Sequence, residues 1–391
     1  MLSSAAAEKN ATRESIGTGV DAPGFQAVVD EVRARRDEFD AKAHVPVDMI
    51  AKFKAVGIYR AATPQCFGGD ALPPARFLHM IERISEADGS AGWVASFGSA
   101  SVYLAALPKA SLAKLYANGP DIVFAGGLFP IQPAEPVEGG GWKVNGTWKF
   151  ASGCKGADVL GVGIGASGPG GKPRTALFPA DQVEIVENWK VMGLKGTGSH
   201  DLRVKDGFIS DDWTFIRGGE PSIDEPLYRY PTVAYAAQVL AVVNLGLARA
   251  ALDEINRMSG GRTGATGAPK LADRAYFRID AAKAEADLCS ARAFFYEATE
   301  QVWQSILDGH PVTDEQVAQL RLAAVHVARV GASVVQRAYT LAGIAAIYDQ
   351  NPLQRYLRDA MVVTQHAFLG DGMYDGAGAV MLGVPPIPGF L

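Results

Sequence analysis

Cysteine is scarce: the 391 residues hold three, Cys66, Cys154 and Cys289. Odd in number and widely spread, they argue against a disulfide framework and suit a reducing compartment, so a cytoplasmic location is expected. The six histidines form no His-x-x-x-His or mixed Cys/His cluster, and no bound metal is expected. Basic charge is not in excess either, since the net charge of -5 offers no positive field to nucleic acid. No stretch approaches the roughly 18 uninterrupted apolar residues of a membrane span, because even the greasy run 233–252 carries Gln238, Asn244 and Arg249. Met1 to Asp21 has no apolar h-region and reads as a loosely packed or disordered tail, not a signal peptide. No Gly-x-Gly-x-x-Gly follows a strand pattern, which removes a dinucleotide fold and any nicotinamide site.

What is present is ordinary in bulk and informative in order. Hydrophobic residues make up 48% and charged residues 20%, enough for a sizeable core shared by two or three subdomains. Residues 24–42 and 73–88 carry apolar side chains at helical spacing, and Asp88-Gly89-Ser90 marks an end and the cap of the next helix. That next segment, Ala91 to about Leu107, is almost wholly apolar and should run buried through the interior. From about Asp121 short strands take over, with Asn145-Gly146 between two alternating runs predicting a tight hairpin. Further strands are expected at Asp158–Gly165, Arg174–Phe178, Val183–Val186 and Asp201–Phe208. After Pro231 the pattern is helical: Thr232–Met258, Leu271–Leu307, a helix opened by the capping box Thr313-Asp-Glu-Gln316, and a last helix from Asn351-Pro352 through Phe368. The predicted fold class is α+β, with a tail (1–22), an N-terminal helical domain (23–120), a central antiparallel β-barrel (121–230) and a C-terminal four-helix bundle (231–391).

Four motifs, Ala87-Asp-Gly-Ser-Ala-Gly-Trp93, Trp142 to Cys154 with its Ser-Gly-Cys end, Gly193-Leu-Lys-Gly-Thr-Gly-Ser199 and Asn351-Pro-Leu-Gln-Arg-Tyr-Leu-Arg-Asp359, combine with that order of segments. Together they resemble the acyl-CoA dehydrogenase superfamily over nearly the whole chain from residue 24. Dehydrogenases of that family need a carboxylate base against the substrate. Here the interval beyond Arg358-Asp359 reaches His366-Ala367, with alanine at the glutamate's place. Thr232–Leu252 has no acid, and Gly126-Gly-Leu-Phe-Pro130 lacks the Thr-Glu-Pro pattern. The chain is therefore similar to the oxygen-using branch, two-component flavin monooxygenases that oxygenate a phenol, indole or similar small aromatic through a C4a-hydroperoxide.

The resemblance implies reduced flavin, FADH2 or FMNH2, with O2 as co-substrate, a separate NAD(P)H-dependent flavin reductase, and a homotetramer. It places Phe150, Ala151 and Ser152 at the flavin, the Ser152 hydroxyl against N5; the alternative is that Ser152 simply ends a hairpin strand. His366, expected on the last helix with an ordinary pKa near 6.5, would take or hold a substrate proton, or be a satisfied helix histidine. Trp93 would stack on flavin or substrate, or pack in the core. Thr197 and Ser199 in the glycine-rich run would hold a flavin phosphate or make a tight turn, and Arg262 would reach a neighbouring subunit's cofactor or be solvated. The phenol hydroxylases carry a histidine eight residues after the tryptophan, where this chain has Ser101; with Phe97, Leu128, Phe129, Phe368 and Met373 the expected pocket is apolar, favouring indole over a hydroxyphenyl acid. The competing enzyme reading is a flavin oxidase or dehydrogenase with a relocated base; a flavin-binding protein without chemistry is a third.

Overall fold

The computed structural model describes residues 18–165, 173–260 and 269–391. Six helices open it: α1 (Phe25–Lys42), α2 (Val47–Ala55), α3 (Pro74–Ala87), α4 (Gly89–Ser96), α5 (Ser101–Leu104) and α6 (Lys109–Leu115). The segment expected as one helix over 91–107 is broken between α4 and α5 by a 3-10 turn, Phe97–Ala100. A Cβ on Gly98 would sit 2.1 Å from the Ile58 carbonyl oxygen, and the Ser96 and Ser99 hydroxyls donate back to the Trp93 and Ser96 carbonyls. Such local side-chain bonds offer the backbone an alternative to the α-helix. The burial expected of this segment is observed.

The strands are β1 (Phe124–Pro136), β2 (Trp142–Ala151), β3 (Val159–Gly165), β4 (Arg174–Pro179), β5 (Glu184–Val186), β6 (His200–Ile209) and β7 (Thr214–Phe215). They form one open sheet in the order β5-β6-β2-β1-β3-β4-β7, so the expected antiparallel barrel is corrected. The edge strands β5 and β7 do not pair with each other, and β1 runs parallel to β3. Nor does the chain turn at Asn145-Gly146, which lies inside β2 at a register shift against β6. The reversal is at Val137–Gly141, where Gly139, Gly140 and Gly141 all take positive φ at low cost. Asn145 instead accepts the Asp206 N–H at 2.6 Å. Trp148 is fully buried under the sheet, its indole N–H donating to the Gly163 carbonyl at 2.7 Å.

Five more helices close the chain: α7 (Thr232–Ser259), α8 (Ala275–Leu307), α9 (Asp314–Ala342), α10 (Leu353–Val363) and α11 (Gly372–Met381). The capping box of α9 forms as expected. α7 is long and apolar enough to cross a bilayer, yet 78% of its most apolar window is buried within the chain, as in the core helix of a globular protein. Its polar residues explain the preference: Asn244 donates to the Ala328 and Ala360 carbonyls on α9 and α10, and Gln238 bridges Tyr230 and Thr299. In lipid these groups would lack such partners. Glu82 on α3 binds Arg292 and Tyr296 on α8, fastening the N-terminal helices to the C-terminal ones.

α10 stops at Val363, so His366 is not on a helix. Val362, Val363 and Thr364 are three β-branched residues in succession, poor helix formers, and the Thr364 hydroxyl donates back to the Met361 carbonyl. A 3-10 turn, Ala367–Leu369, follows. The glycines at 372, 376 and 378 hid α11 from the sequence reading. A Cβ on Gly376 would meet the Phe390 ring at 2.3 Å, which shows how closely the C-terminal segment seals that helix.

Candidate active site

The start of α4, the end of β2, the glycine-rich turn before β6 and the segment after α10 meet at one place. Asp88 caps α4 by accepting the Ala91 N–H at 2.8 Å, which aims Trp93 from the first turns of the helix. The Trp93 indole N–H donates to Ser152 Oγ at 3.1 Å. Ser152 Oγ lies 2.7 Å from Ser199 Oγ, which lies 2.7 Å from Thr197 Oγ1, and the Thr197 hydroxyl donates to the Leu194 carbonyl at 2.8 Å. A carbonyl only accepts, and each hydroxyl has one proton. The chain therefore has one sense: Trp93 to Ser152 to Ser199 to Thr197 to Leu194. Ser152 keeps one lone pair unfilled.

His366 stands edge-on to Trp93, ring centres 5.7 Å apart, and 5.1 Å from the Phe368 ring. Its Nδ1 accepts the Phe368 N–H at 3.2 Å, so the neutral ring carries its proton on Nε2. Desolvation, with the field of Arg217 added, pushes the His366 pKa down to about 4. At neutral pH this imidazole is a hydrogen-bond donor at Nε2, not the near-neutral titrating base that an ordinary pKa implies. Among the described residues no carboxylate hydrogen-bonds to Trp93, Ser152, Thr197, Ser199 or His366.

The glycine-rich segment is held by packing. A Cβ on Gly193 would fall 2.4 Å from the Arg358 carbonyl oxygen, which is why the turn can press against α10. Leu194 N–H donates to Asp359 Oδ1 at 2.6 Å. Asp359 thus supports the turn and is in no ion pair among the described residues; Arg355 pairs with Asp37 and Asp40, and Arg358 with Gln354 and the Met192 carbonyl. Burial raises the carboxyl pKa of Asp88 to about 6, with repulsion from Asp40 added, and that of Asp359 to about 8, with repulsion from Asp88 added. Both are raised above the unfolded value, so the stability they favour is full below about pH 4 and is lost as pH rises through 6 and 8. Asp359→Asn keeps the acceptor for Leu194 and removes the charge. Its melting temperature should fall less than that of wild type between about pH 5 and 9; a decline as steep as wild type would show that Asp359 does not carry it.

Of the other predicted residues, Leu128 lines a cleft of about 250 Å3 with Ile131, Thr175, Ile216 and Arg217. Met373 reaches the aromatic cluster through Arg321, whose Nη2 donates to its sulfur at 3.0 Å while the guanidinium lies over Phe368. Ala151 is buried at the strand end, and Phe97 packs on the helical core. Phe129 and Phe150 stand 62% and 59% exposed, beside no partner ring. The Ser101 hydroxyl is engaged by Thr63 and Tyr116, away from the Trp93 cluster. Arg262 lies outside the described residues. Reading the sequence missed Tyr103, Arg217 and Arg321; Arg321 was legible in principle, because it interrupts the buried stripe Ala318, Val325, Ala328 on α9 at helical spacing.

Residues 238–370 match the family model for the acyl-CoA dehydrogenase C-terminal domain. An indole-3-acetate monooxygenase of Pseudomonas putida is 54% identical over 374 residues, covering 94% of this chain and 96% of the relative. One of Acinetobacter baumannii is 46% identical over 372 residues, covering 94% and 95%. Among solved structures, the HsaA monooxygenase of M. tuberculosis superposes with a TM-score of 0.87 at 25% identity over 94% of this chain and 98% of that one. The chain belongs to the two-component flavin-dependent monooxygenases of the acyl-CoA dehydrogenase fold. The indole-bound dibenzothiophene monooxygenase of Paenibacillus sp. A11-2, at 22% identity and a TM-score of 0.80 over 94% and 98% of the chains, shares that fold. Like its relatives, this monooxygenase uses reduced flavin and O2 to oxygenate a small aromatic or heteroaromatic compound. That no carboxylate among the described residues hydrogen-bonds to this cluster agrees with oxygenation and not with dehydrogenation.

Proposed function

We propose that this monooxygenase hydroxylates an indole-type ring bearing a short acid side chain, indole-3-acetate being the form named for its two relatives. The observation that carries the reading is the junction at Trp93, which holds Ser152 by hydrogen bond on one side and His366 by ring contact on the other. A flavin-side hydroxyl and a substrate-side donor are thus fixed to one indole.

Reduced flavin supplies the oxygen atom by activating O2. Ser152 would hold the N5 edge: with its own proton given to Ser199 and Trp93 donating to it, the open lone pair can accept an N–H, which suits the protonated N5 of a reduced ring. Exposed Phe150, Phe129 and Met192 offer apolar cover for a flat ring system. His366 Nε2–H is placed to hold a substrate acceptor atom beside Phe368. Thr197 and Ser199 act through Ser152 by keeping its proton turned away.

A separate NAD(P)H-dependent reductase would deliver the flavin. Exposed Ile344, Ile347, Tyr348, Met381 and Leu382 would be covered in a homotetramer, and three free thiols suit the cytoplasm. The test is to supply chemically reduced FAD or FMN with indole-3-acetate in buffer freed of air and equilibrated with 18O2, and to follow product by mass spectrometry. One labelled oxygen atom per product is expected. Unlabelled product, or flavin oxidation with no product from any indole or phenol, would refute the reading.

A further inference from the structure

Among the described residues, two guanidinium groups beside the aromatic cluster have no acid partner. Arg217, just after β7, stands with its Cζ 4.9 Å from the centre of the Tyr103 ring; it makes no hydrogen bond or ion pair among the described residues, and its Nε is buried without a partner. Arg321, in the middle of α9, is 2% exposed and among the described residues donates only to the Met373 sulfur, a weak acceptor. Its Nε and Nη1 are buried and unpartnered, and its Cζ lies 5.8 Å from the Phe368 ring and 4.9 Å from the Phe390 ring. The fields of both cations reach Tyr103, and that of Arg217 reaches His366. They therefore belong to one neighbourhood, which also borders the cleft lined by Leu128, Ile131 and Arg217.

Buried cations without counter-charge are costly to a fold, and proteins normally pair them. Desolvation lowers the pKa of both groups, the direction expected when no carboxylate compensates. A guanidinium offers five donors in a planar fork that matches a carboxylate. Cation-π contacts with Tyr103 and Phe368 hold the groups in place and leave donors unused.

We propose that Arg217, seconded by Arg321, binds the carboxylate of an aromatic acid substrate and sets the preference for the acid over neutral rings. The assignment rests on the proposed substrate class and adds the residues that select it. With the acid held there, the ring would extend toward Phe368, His366 and Trp93.

The experiment compares indole-3-acetate with its neutral amide in wild type, Arg217→Gln, Arg217→Lys and Arg321→Gln. Turnover is measured with supplied reduced flavin, and acid binding by calorimetry on the protein without flavin. Arg217→Gln should lose on the order of 30-fold in kcat/KM for the acid and weaken its Kd similarly, while the amide changes by no more than about threefold. Arg217→Lys should recover part of the loss, and Arg321→Gln should show a smaller loss of the same selectivity. Removing the buried Arg321 or the half-buried Arg217, each without a counter-charge, should leave the melting temperature equal or higher. Equal loss on acid and amide, unchanged acid preference, a weakened affinity for reduced flavin with the preference intact, or a variant that fails to fold would each overturn the assignment. Wild type that oxygenates neutral indoles but no arylacetate would overturn the substrate class and the assignment with it, an outcome read before any variant is made.

Discussion

Ser152→Ala is expected to uncouple the enzyme. The variant should still consume O2 with supplied reduced flavin, but product per O2 should fall by on the order of 10- to 100-fold, with the balance released as hydrogen peroxide. The reason is geometric. The Trp93 indole donates to Ser152, whose proton is committed to Ser199, so on the proposed function the atom is pre-set to accept a flavin N–H. Alanine removes that acceptor and leaves the Trp93 N–H without its partner. Ser199→Ala, which frees the Ser152 proton without removing the oxygen, should give an intermediate coupling ratio. Peroxide yields equal to wild type in Ser152→Ala would remove Ser152 from the chemistry.

His366→Ala should lower product formation by on the order of 100-fold while flavin oxidation stays fast. Part of the effect is loss of the Nε2 donor, and part is loss of the Nδ1 acceptor that holds the Phe368 backbone. The pH dependence separates this role from that of an ordinary histidine. Because burial depresses the pKa to about 4, wild-type activity should show no limb from this group near pH 6.5, and any acid limb it causes should lie near 4. The sign for stability follows: the unfolded chain binds the proton more readily, so stability is lost as pH falls from about 6.5 toward 4. A wild-type activity limb near 6.5 that His366→Gln abolishes would restore the titrating-base role.

Much of the architecture was legible because it depends on local periodicity. Helices α1, α3, α7 and α9 and strands β3 to β6 follow from apolar spacing, caps and glycine breaks. The openness of the sheet was not, and a barrel was expected in its place, because sheet closure depends on how far edge strands curl toward each other, and no local pattern reports that. The Asn-Gly hairpin failed because three glycines four to six residues upstream make the turn first and leave Asn-Gly to be absorbed as a register slip. In the site, the Trp93, Ser152, Thr197 and Ser199 grouping was recoverable from motifs, whereas the state of His366 was not. Its low pKa arises from burial and, secondarily, from Arg217, both contributed by distant parts of the chain. Arg217 and Arg321 went unread for the same reason, since a cation is recognised as unpaired only when its surroundings are known.

The short turn between α10 and α11 has a consequence for altering specificity. α10 is anchored upstream, through Asn244 to Ala360 and through Asp359 to Leu194, before the chain leaves the helix at Thr364. Side chains at 364, 365, 367 and 368 can therefore vary around a retained His366 while the supporting helices stay in register, so on the proposed function this arch is a modular ceiling over the substrate. Libraries confined to it should retool what the enzyme accepts and leave its foundations standing.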